Sequence, residues 1–318
     1  MPKDRVPVIP LLGAPGVQLS NTTLRANLTD ASTQIKSLKL LIEKFQPDGI
    51  FVFMDLTVEA EALGLKIDFP ENDNPSVRRH NIKTLDELEK IRTLYKGISG
   101  RMPVFIKVVE DLAKNYSLLK GAYTIGPFTL AGELIGVEDL MMNLILNPDL
   151  VHKFLEFTTI VIKDYANALL NAGADVVAVL EPTSVMLSPS QFREFSGGYF
   201  SILAEELKAP LILHICGNTK HLLEEMAKTK AIGLSLDSPV DLKEASDIIP
   251  NDIYLVGNLD PVKIFLLAKP QEVVNATKDL LKKMKGIKNF ILSSGCDLPK
   301  DTPLENIEAF INTGKNFR

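Results

Sequence analysis

The chain has 318 residues, of which 46% are hydrophobic, and its 35 basic and 40 acidic side chains give a formal net charge of −5. This length accommodates one large α/β domain, while the even spread of charge excludes a basic nucleic-acid footprint and a polybasic membrane arm. Interrupted apolar runs exclude a membrane-spanning helix and two cysteines exclude a disulfide framework, so we expect a cytoplasmic protein.

Eight short apolar or β-branched runs alternate with segments of helical periodicity. The first run lies among prolines near the N-terminus and predicts an entering strand, not a signal peptide. The predicted strands are Val6–Leu12, Gly49–Asp55, Ala122–Gly126, Asp175–Glu181, Pro210–Cys216, Ile232–Asp237, Ile253–Asn258 and Asn289–Gly295.

Two of the connecting segments have a clear helical pattern. In Asp149–Ala172 the apolar residues form one stripe, opposite Lys153, Glu156 and Lys163. Pro103–Tyr116 begins like a strand, but its apolar residues recur at helical spacing. We therefore predict a helix there, before the third strand.

The predicted strands are apolar throughout, which indicates burial on both faces of a parallel sheet. Eight of them alternating with helices predict an α/β fold, a single (β/α)₈ TIM barrel over residues 1–318. An open doubly wound sheet is the rival, but neither GxGxxG nor GxxxxGK[ST] is present. A long excursion follows the second strand at about residues 56–119 and is either a functional lid or a solvated loop.

Six of the eight predicted strands end in a chelating or acid–base group. In a barrel of this kind the active site forms at the carboxyl ends of the strands. Stability does not require such groups there, so their clustering predicts an active site at this rim. They are Asp55, Glu181, His214 with Cys216, Asp237, Asn258 with Asp260, and Cys296.

One imidazole and two thiols form the most specific pattern at this rim. His214 and Cys216 are two residues apart on one strand, so their side chains project to the same side. Cys296 ends the last strand, across the barrel mouth. This donor set suits Zn²⁺ with a fourth position open, although buried cysteines also serve as small apolar residues. Glycines beside both cysteines, Gly217 and Gly295, permit close approach and favour the metal.

Other polar residues leave two interpretations open. Asp237 is either a fourth ligand or anchor of the site, or a cap of the loop that follows it. Arg78 and Arg79 either clamp an anionic group or form a solvated charge pair. We expect the remaining histidines to lie on the surface, namely His80, His152 and His221.

Motifs along most of the chain resemble those of the uroporphyrinogen decarboxylase superfamily, and within it the methylcobalamin:coenzyme M methyltransferases. They are FVFMDLTVEAEALG, TIGPFTLAGELIG, LEPTS, LHICGN, LSLD, VGNLDP and SSGCDLP. The resemblance implies the same barrel, with zinc bound by His214, Cys216 and Cys296. Decarboxylases carry an arginine-rich segment after the first strand, whereas no arginine lies between Leu11 and Arg25 here.

The expected activity is zinc-dependent transfer of a methyl group from a methylated corrinoid to a thiol such as coenzyme M. Zinc converts a bound thiol, whose free pKa is about 8.5, into a nucleophilic thiolate. A corrinoid carrier protein is the expected partner and docks over the rim, with the Glu59–His80 loop as a contact surface. The expected catalytic residues are Asp55, Glu181 and Asp237, and the expected cofactor-binding residues are Glu59, Asn218 and Asn258.

Three alternatives stay open at this point. The chain is a metal-free decarboxylase-like lyase in which Asp55 binds pyrrole nitrogens, or a corrinoid methyltransferase whose acceptor is homocysteine or tetrahydrofolate. The third is a catalytically silent barrel within a methyl-transfer complex. The sequence determines neither the upstream methyl donor, nor the fourth zinc ligand, nor the oligomeric state.

Overall fold

A computed structural model describes residues 2 and 4–317; Met1, Lys3 and Arg318 lie outside the described residues. The strands are β1 (Gly49–Phe51), β2 (Ile67–Asp68), β3 (Ser76–Val77), β4 (Leu119–Ile125), β5 (Val176–Leu180), β6 (Leu211–Ile215), β7 (Gly233–Leu236), β8 (Tyr254–Leu259) and β9 (Phe290–Ser294).

The α-helices flank these strands along the chain. They are α1 (Gly16–Ser20), α2 (Leu24–Thr29), α3 (Ala31–Phe45), α4 (Val58–Ala62), α5 (Leu85–Leu94), α6 (Met102–Asn115), α7 (Pro127–Ile135), α8 (Val137–Leu146), α9 (Pro148–Asn171), α10 (Pro189–Phe192), α11 (Gly198–Leu207), α12 (Leu223–Met226), α13 (Leu242–Ile248), α14 (Pro270–Lys283) and α15 (Leu304–Asn316). Short 3₁₀ or π turns follow β5, β6 and β8. In the part of the chain that the structure describes, no helix combines the length and apolarity needed to cross a bilayer.

Seven parallel strands form one sheet in the order β1-β4-β5-β6-β7-β8-β9, and the N-terminal segment closes it into a barrel. Ile9 N donates to Leu292 O at 2.9 Å, and Leu292 N donates to Pro7 O at 2.9 Å. On the other side, Asp48 N donates to Val8 O at 3.1 Å. This segment therefore takes the position of the eighth strand. Its prolines lack an N–H donor and prevent a continuous ladder.

The predicted (β/α)₈ TIM barrel is confirmed, and each of the seven strands of the barrel sheet overlaps a predicted one. The largest difference is β1, which ends at Phe51 instead of Asp55. Val52 N still donates to Gly121 O at 3.2 Å, but Phe53 N donates to the buried side chain of Gln34 at 3.2 Å. A side-chain acceptor from α3 therefore replaces the ladder at this point.

Helix α9 shows why the sequence signals for helix boundaries are informative. Asn147 accepts a hydrogen bond from Leu150 N at 3.3 Å, and Pro148 occupies the first helical position. The chain leaves the helix through Gly173, whose φ is +106°. The observed α9, Pro148–Asn171, and α6, Met102–Asn115, match the two predicted helices within a residue.

The excursion after β1 carries its own elements. Helices α4 to α6 lie within residues 56–119, together with an antiparallel pair of two-residue strands, β2 and β3. Thr84 and Glu87 form a capping box at the start of α5. The assignment of residues 1–318 to one domain remains a prediction.

A half-buried ion pair fastens the N-terminal segment to the residue just before the first strand of the sheet. The guanidinium of Arg5 donates to both carboxylate oxygens of Asp48, at 2.6 and 2.7 Å, and Val8 N donates to the same carboxylate at 2.8 Å. Burial raises the pKa of Asp48, but these hydrogen bonds outweigh it and hold the pKa below its usual range. The bidentate geometry is the strong form of this interaction.

We predict that Asp48→Asn lowers the free energy of unfolding by about 1–3 kcal/mol, because it removes a charge-assisted pair at the closure of the barrel. Since folding lowers the pKa of Asp48, its contribution is full above the unfolded-state pKa of about 3.9 and is lost as the pH falls through the folded-state pKa. Urea denaturation from pH 7 to pH 3 measures both effects.

The matched control is Glu156→Gln, which breaks an exposed pair with Lys153 on α9, 3.0 Å between Nζ and Oε2. It is expected to change stability by no more than about 0.5 kcal/mol. Equal effects of the two substitutions would show that Asp48 does not stabilise the closure.

Candidate metal centre

Three potential metal ligands meet at the carboxyl ends of β6 and β9. His214 lies near the end of β6, Cys216 follows that strand, and Cys296 follows β9. The Nε2 of His214 is 3.1 Å from Cys216 Sγ and 3.7 Å from Cys296 Sγ, and the two sulfurs are 3.5 Å apart. The structure thus brings together three residues separated by up to 82 positions.

These distances fit a tetrahedral zinc site. With Zn–S bonds of about 2.3 Å and Zn–N bonds of about 2.0–2.1 Å, a tetrahedron has S···S edges of about 3.8 Å and N···S edges of about 3.6 Å. The observed separations differ from these edges by half an ångström or less. Two thiols and one imidazole leave the fourth corner of such a tetrahedron for another ligand.

The three groups alter one another's ionisation. Contact with Cys296 lowers the pKa of Cys216, despite the opposing effect of burial. Contact with Cys216 and burial raise the pKa of Cys296. Burial acts to lower the pKa of His214, but the adjacent Cys296 raises it overall. The contact between the two thiols thus favours one thiolate shared by the pair, and a cation is the natural partner for that negative charge.

A serine on the neighbouring strand orients His214. The Nδ1 of His214 lies 2.9 Å from Ser235 Oγ and 3.2 Å from Ser235 O, so its N–H donates to Ser235 on β7. In this tautomer Nε2 presents its lone pair to the side where the two sulfurs lie. A hydrogen-bond acceptor of this kind behind a ligating histidine fixes its ring orientation.

Asp237 lies beside the cluster and anchors its loops, with both carboxylate oxygens engaged by backbone donors. Gly217 N donates to one oxygen at 2.7 Å and Ser238 N to the other at 2.6 Å. The side-chain amide of Asn258 donates to Asp237 O at 3.0 Å and to Val240 O at 2.6 Å. Among the described residues the three-ligand group does not include Asp237. These contacts hold the turn that carries Cys216.

Two glycines allow the cysteines to take their positions. Gly217 has a φ of +84°, a conformation that side chains rarely adopt. At Gly295 a Cβ would lie 2.7 Å from Ser238 N and 2.8 Å from an oxygen of Asp237. Glycine is therefore required before Cys296, as the sequence suggested for both positions.

A cavity of about 580 Å³ opens above the cluster at the mouth of the barrel. Both cysteines and Asp55 line it, together with residues 72–75 of the excursion and residues 297–301 after β9. Asn218 lies on the exposed rim, where its side-chain oxygen accepts a hydrogen bond from Lys220 N at 3.2 Å. Volumes of this order are typical of small-molecule sites.

The carboxylate of Asp55 is part of a buried ion-pair network. Thr57 donates to it through its backbone N at 2.8 Å and its hydroxyl at 2.7 Å, and Arg101 forms a salt bridge with its other oxygen. The same guanidinium donates to Glu61 at 2.7 Å and stacks over the ring of Phe69 at 4.6 Å. The negative charge of Asp55 is thus balanced by Arg101 within the wall of the cavity.

Sequence reasoning did not identify Arg101. It lies in the irregular excursion, 46 residues from Asp55, and directly precedes helix α6. In the structure Arg101 is 7% exposed and lies beside the carboxylate of Asp55, a predicted site residue. A contact this distant along the chain has no local pattern, so spatial proximity alone shows it.

Two further buried carboxyl groups, Glu59 and Glu181, are hydrogen-bonded at neighbouring strands. Glu59 accepts from the Thr124 hydroxyl at 2.6 Å and from Ile125 N at 2.9 Å, and its Oε2 is buried with no partner among the described residues. Glu181 accepts from Phe128 N at 3.0 Å and from Thr129 N at 2.8 Å, at the start of α7. Burial raises the pKa of each to about 7. Neither belongs to the three-ligand group.

The other histidines lie away from the cluster, and each contacts a nearby oxygen. His80 is exposed and its Nδ1 is 2.8 Å from Glu133 O. His152 is half-buried, with Nδ1 2.8 Å from the hydroxyl of Tyr199. His221 Nε2 is 3.1 Å from Leu187 O.

Arg78 and Arg79 of the excursion are exposed and do not line the mouth cavity. Arg78 pairs with Asp68 at 3.3 Å. Arg78, Arg79 and Lys66 line a separate surface cavity of about 340 Å³. Asp260, at the end of β8, caps the following turn by accepting hydrogen bonds from two backbone N–H groups.

Known proteins match nearly the whole chain. The uroporphyrinogen decarboxylase (URO-D) family model matches residues 1–317. A methylcobamide:CoM methyltransferase of Methanosarcina mazei is 33% identical over 85% of this chain and 80% of its own. A uroporphyrinogen decarboxylase of Prochlorococcus marinus is 30% identical over 86% and 81%. The solved structure of a methyltransferase from Methanosarcina mazei superimposes with a TM-score of 0.88, at 26% identity over 99% and 95%.

We predict that Arg101→Met lowers the free energy of unfolding by about 3–5 kcal/mol, because it leaves the buried carboxylate of Asp55 without its cationic partner. The double variant Arg101→Met/Asp55→Asn should recover part of this loss. Arg92→Met is the matched control, since Arg92 pairs with Glu89 at 3.5 Å on an exposed face of α5, and it should cost less than about 1 kcal/mol. Urea denaturation of the wild type and the three variants measures these free energies. A loss below about 1 kcal/mol for Arg101→Met would contradict the stabilising role of its pair with Asp55.

Proposed function

The chain belongs to the uroporphyrinogen decarboxylase family, and from this premise we propose that it is a zinc-dependent methyltransferase that moves a methyl group from a methylated corrinoid to a thiol such as coenzyme M. The observation that carries the proposal is the convergence of His214, Cys216 and Cys296 below the cavity at the barrel mouth. Relatives named as methylcobamide:CoM methyltransferases support the corrinoid and the thiol.

Family membership alone does not distinguish a methyltransferase from a decarboxylase, because relatives of both kinds are about equally similar to this chain. The site favours the methyltransferase for two reasons. Three soft metal ligands converge, which decarboxylation of a porphyrinogen does not require. In addition, the Asp55 carboxylate that would receive pyrrole N–H groups already accepts hydrogen bonds from Thr57 and pairs with Arg101.

His214, Cys216 and Cys296 are the proposed zinc ligands. Zinc bound by them would supply a thiolate nucleophile at neutral pH by deprotonating a thiol at its open fourth position. Ser235 holds the His214 ring so that Nε2 faces the site. Asp237 keeps the turn after β6 in place through Gly217 N. The residues of the chain thus fix the position from which the acceptor sulfur attacks.

The methylated corrinoid enters as a substrate, and we propose that a carrier protein presents it at the rim. A sulfur–carbon bond forms as the cobalt–carbon bond breaks, and the electron pair of the broken bond stays with cobalt. The thiol proton is released to solvent. The mouth cavity of about 580 Å³ suits a small thiol, while the larger corrinoid lies over the opening.

The remaining predicted site residues keep proposed roles around this centre. Asp237 is a positioning residue for the ligand turn, and Asp55 and Glu181 act on the reaction through the walls they stabilise. Glu59, Asn218 and Asn258 are proposed to support corrinoid binding; Asn218 is the one that lies exposed on the rim. A cytoplasmic location, favoured by the low cysteine count, also belongs to the proposal.

The first test measures metal on the purified protein by elemental analysis. We expect about one zinc per chain in the wild type, and its loss in His214→Ala, Cys216→Ala and Cys296→Ala. Methylcobalamin demethylation that depends on added coenzyme M should fall at least about 100-fold in the same variants, because the thiol is no longer activated. Repeating the assay with homocysteine or tetrahydrofolate in place of coenzyme M identifies the class of methyl acceptor.

His221→Ala is the matched control, since it removes a histidine outside the cluster. It should keep both the zinc and the activity. A wild type that stays metal-free after incubation with zinc, and that shows no thiol-dependent demethylation, would overturn the proposal in favour of a decarboxylase-like lyase.

A second prediction concerns the serine behind His214. Ser235→Ala should weaken zinc affinity about 10-fold, because an acceptor that orients the ligating ring is lost. Ser293→Ala removes another fully buried hydroxyl, one without a partner among the described residues, and should leave the affinity unchanged. Competition with a chromogenic chelator measures both dissociation constants. Equal affinities for the two variants would rule out the orienting role of Ser235.

A further inference from the structure

The interior of the barrel contains a second cavity, of about 150 Å³, on the opposite side of His214 from the mouth. It extends from the N-terminal ends of the strands up to His214 and Ser235. Apolar side chains such as Ile212, Val256 and Ile291 make up most of its wall. It shares no lining residue with the mouth cavity.

Small residues on neighbouring strands create this space. In barrels of this type, layers of large side chains normally fill the interior. Here β5 contributes Ala178 and β7 contributes Ser235 to the wall. Gly121 on β4 has no side chain, and the ring of Phe51 from β1 occupies the space, 2.2 Å from where a Cβ of residue 121 would lie. The same ring stacks on Tyr123, with the ring centroids 5.0 Å apart. The small side chains of Ala178 and Ser235 thus leave space between the large ones around them.

The cavity is accessible from the N-terminal face of the barrel. Three of its lining residues are exposed to solvent there, Asp175, Ile232 and Tyr254. Ile232 and Tyr254 are 39% and 43% exposed, although both are large and apolar or aromatic. A small molecule can therefore reach the cavity without passing the metal ligands.

We propose that this cavity is a binding site for a small apolar molecule, which enters from the N-terminal face and contacts the side of His214 opposite to the mouth. At about 150 Å³, the cavity has the size of apolar cavities that accept benzene or xenon. Tyr123 lines the cavity as well, next to the ring of Phe51.

A ligand in this cavity would contact His214, one of the proposed metal ligands, and Ser235, which forms a hydrogen bond with it. The occupant would lie against both members of the His214–Ser235 pair, whose Nδ1–Oγ distance is 2.9 Å. Its binding is expected to change the surroundings of the His214 ring without blocking the mouth cavity. The proposal is independent of methyl transfer, since it requires neither a metal nor an acceptor thiol.

Xenon is the probe for the first experiment, in crystals of the purified full chain under xenon pressure and in solution by NMR. We expect xenon density inside the barrel between Ala178 and His214. Saturable shifts of the His214 ring nitrogens should accompany it in solution. Crystals without xenon in the barrel, combined with unchanged His214 signals, would overturn the proposal whatever the outcome of the methyl-transfer assays.

Variants of the lining test the location. Ala178→Leu fills the cavity and should abolish both the density and the shifts. Ile212→Val enlarges it and should strengthen xenon binding by a measurable factor. Ile215→Val removes the same methylene from the same strand outside the lining, so it should bind as the wild type does. If Ala178→Leu prevents folding, the two valine variants still test the location. Equal xenon affinity in Ile212→Val and Ile215→Val would contradict the site.

Discussion

The cluster of His214, Cys216 and Cys296 depends on the closure of a parallel ladder into a barrel. β6 and β9 are separated by two strands in the sheet, and curvature of the sheet turns the ends of these strands toward a common axis. The segment around Val8 bridges β9 and β1, with hydrogen bonds to Leu292 on one side and to Asp48 on the other. Without that closure no local interaction would hold the two cysteines 3.5 Å apart.

Polar residues at the strand ends fall into two groups, potential metal ligands and residues that support the turns. His214, Cys216 and Cys296 offer their donor atoms to a common point. Asp237 and Asn258 use theirs on backbone groups of the surrounding turns. This division follows from geometry, because each loop at the rim leaves backbone groups without ladder partners, and those groups need acceptors and donors nearby.

Much of the fold, and the convergence of His214, Cys216 and Cys296, could be predicted from the sequence. Strands buried on both faces have a continuous apolar pattern, and His214 with Cys216 has a spacing that sets both side chains on one side of a strand. The contacts of Arg101 with Asp55 and of Ser235 with His214 could not be predicted. They join elements that are distant in the chain, and the local sequence around an arginine or a serine does not indicate which residue it contacts. The early end of β1 could not be predicted for the same reason, because Phe53 N donates to the side chain of Gln34 on another element, α3.

The anchoring of Asp237 also determines which side of the mouth can move. Both of its carboxylate oxygens and its carbonyl are engaged, so the wall that carries Cys216 is stiff. The opposite wall includes residues 72–75, whose side chains are mostly exposed. A molecule that enters the mouth therefore meets a wall fixed by hydrogen bonds on the side of Cys216 and an exposed polar segment, residues 72–75, on the other side.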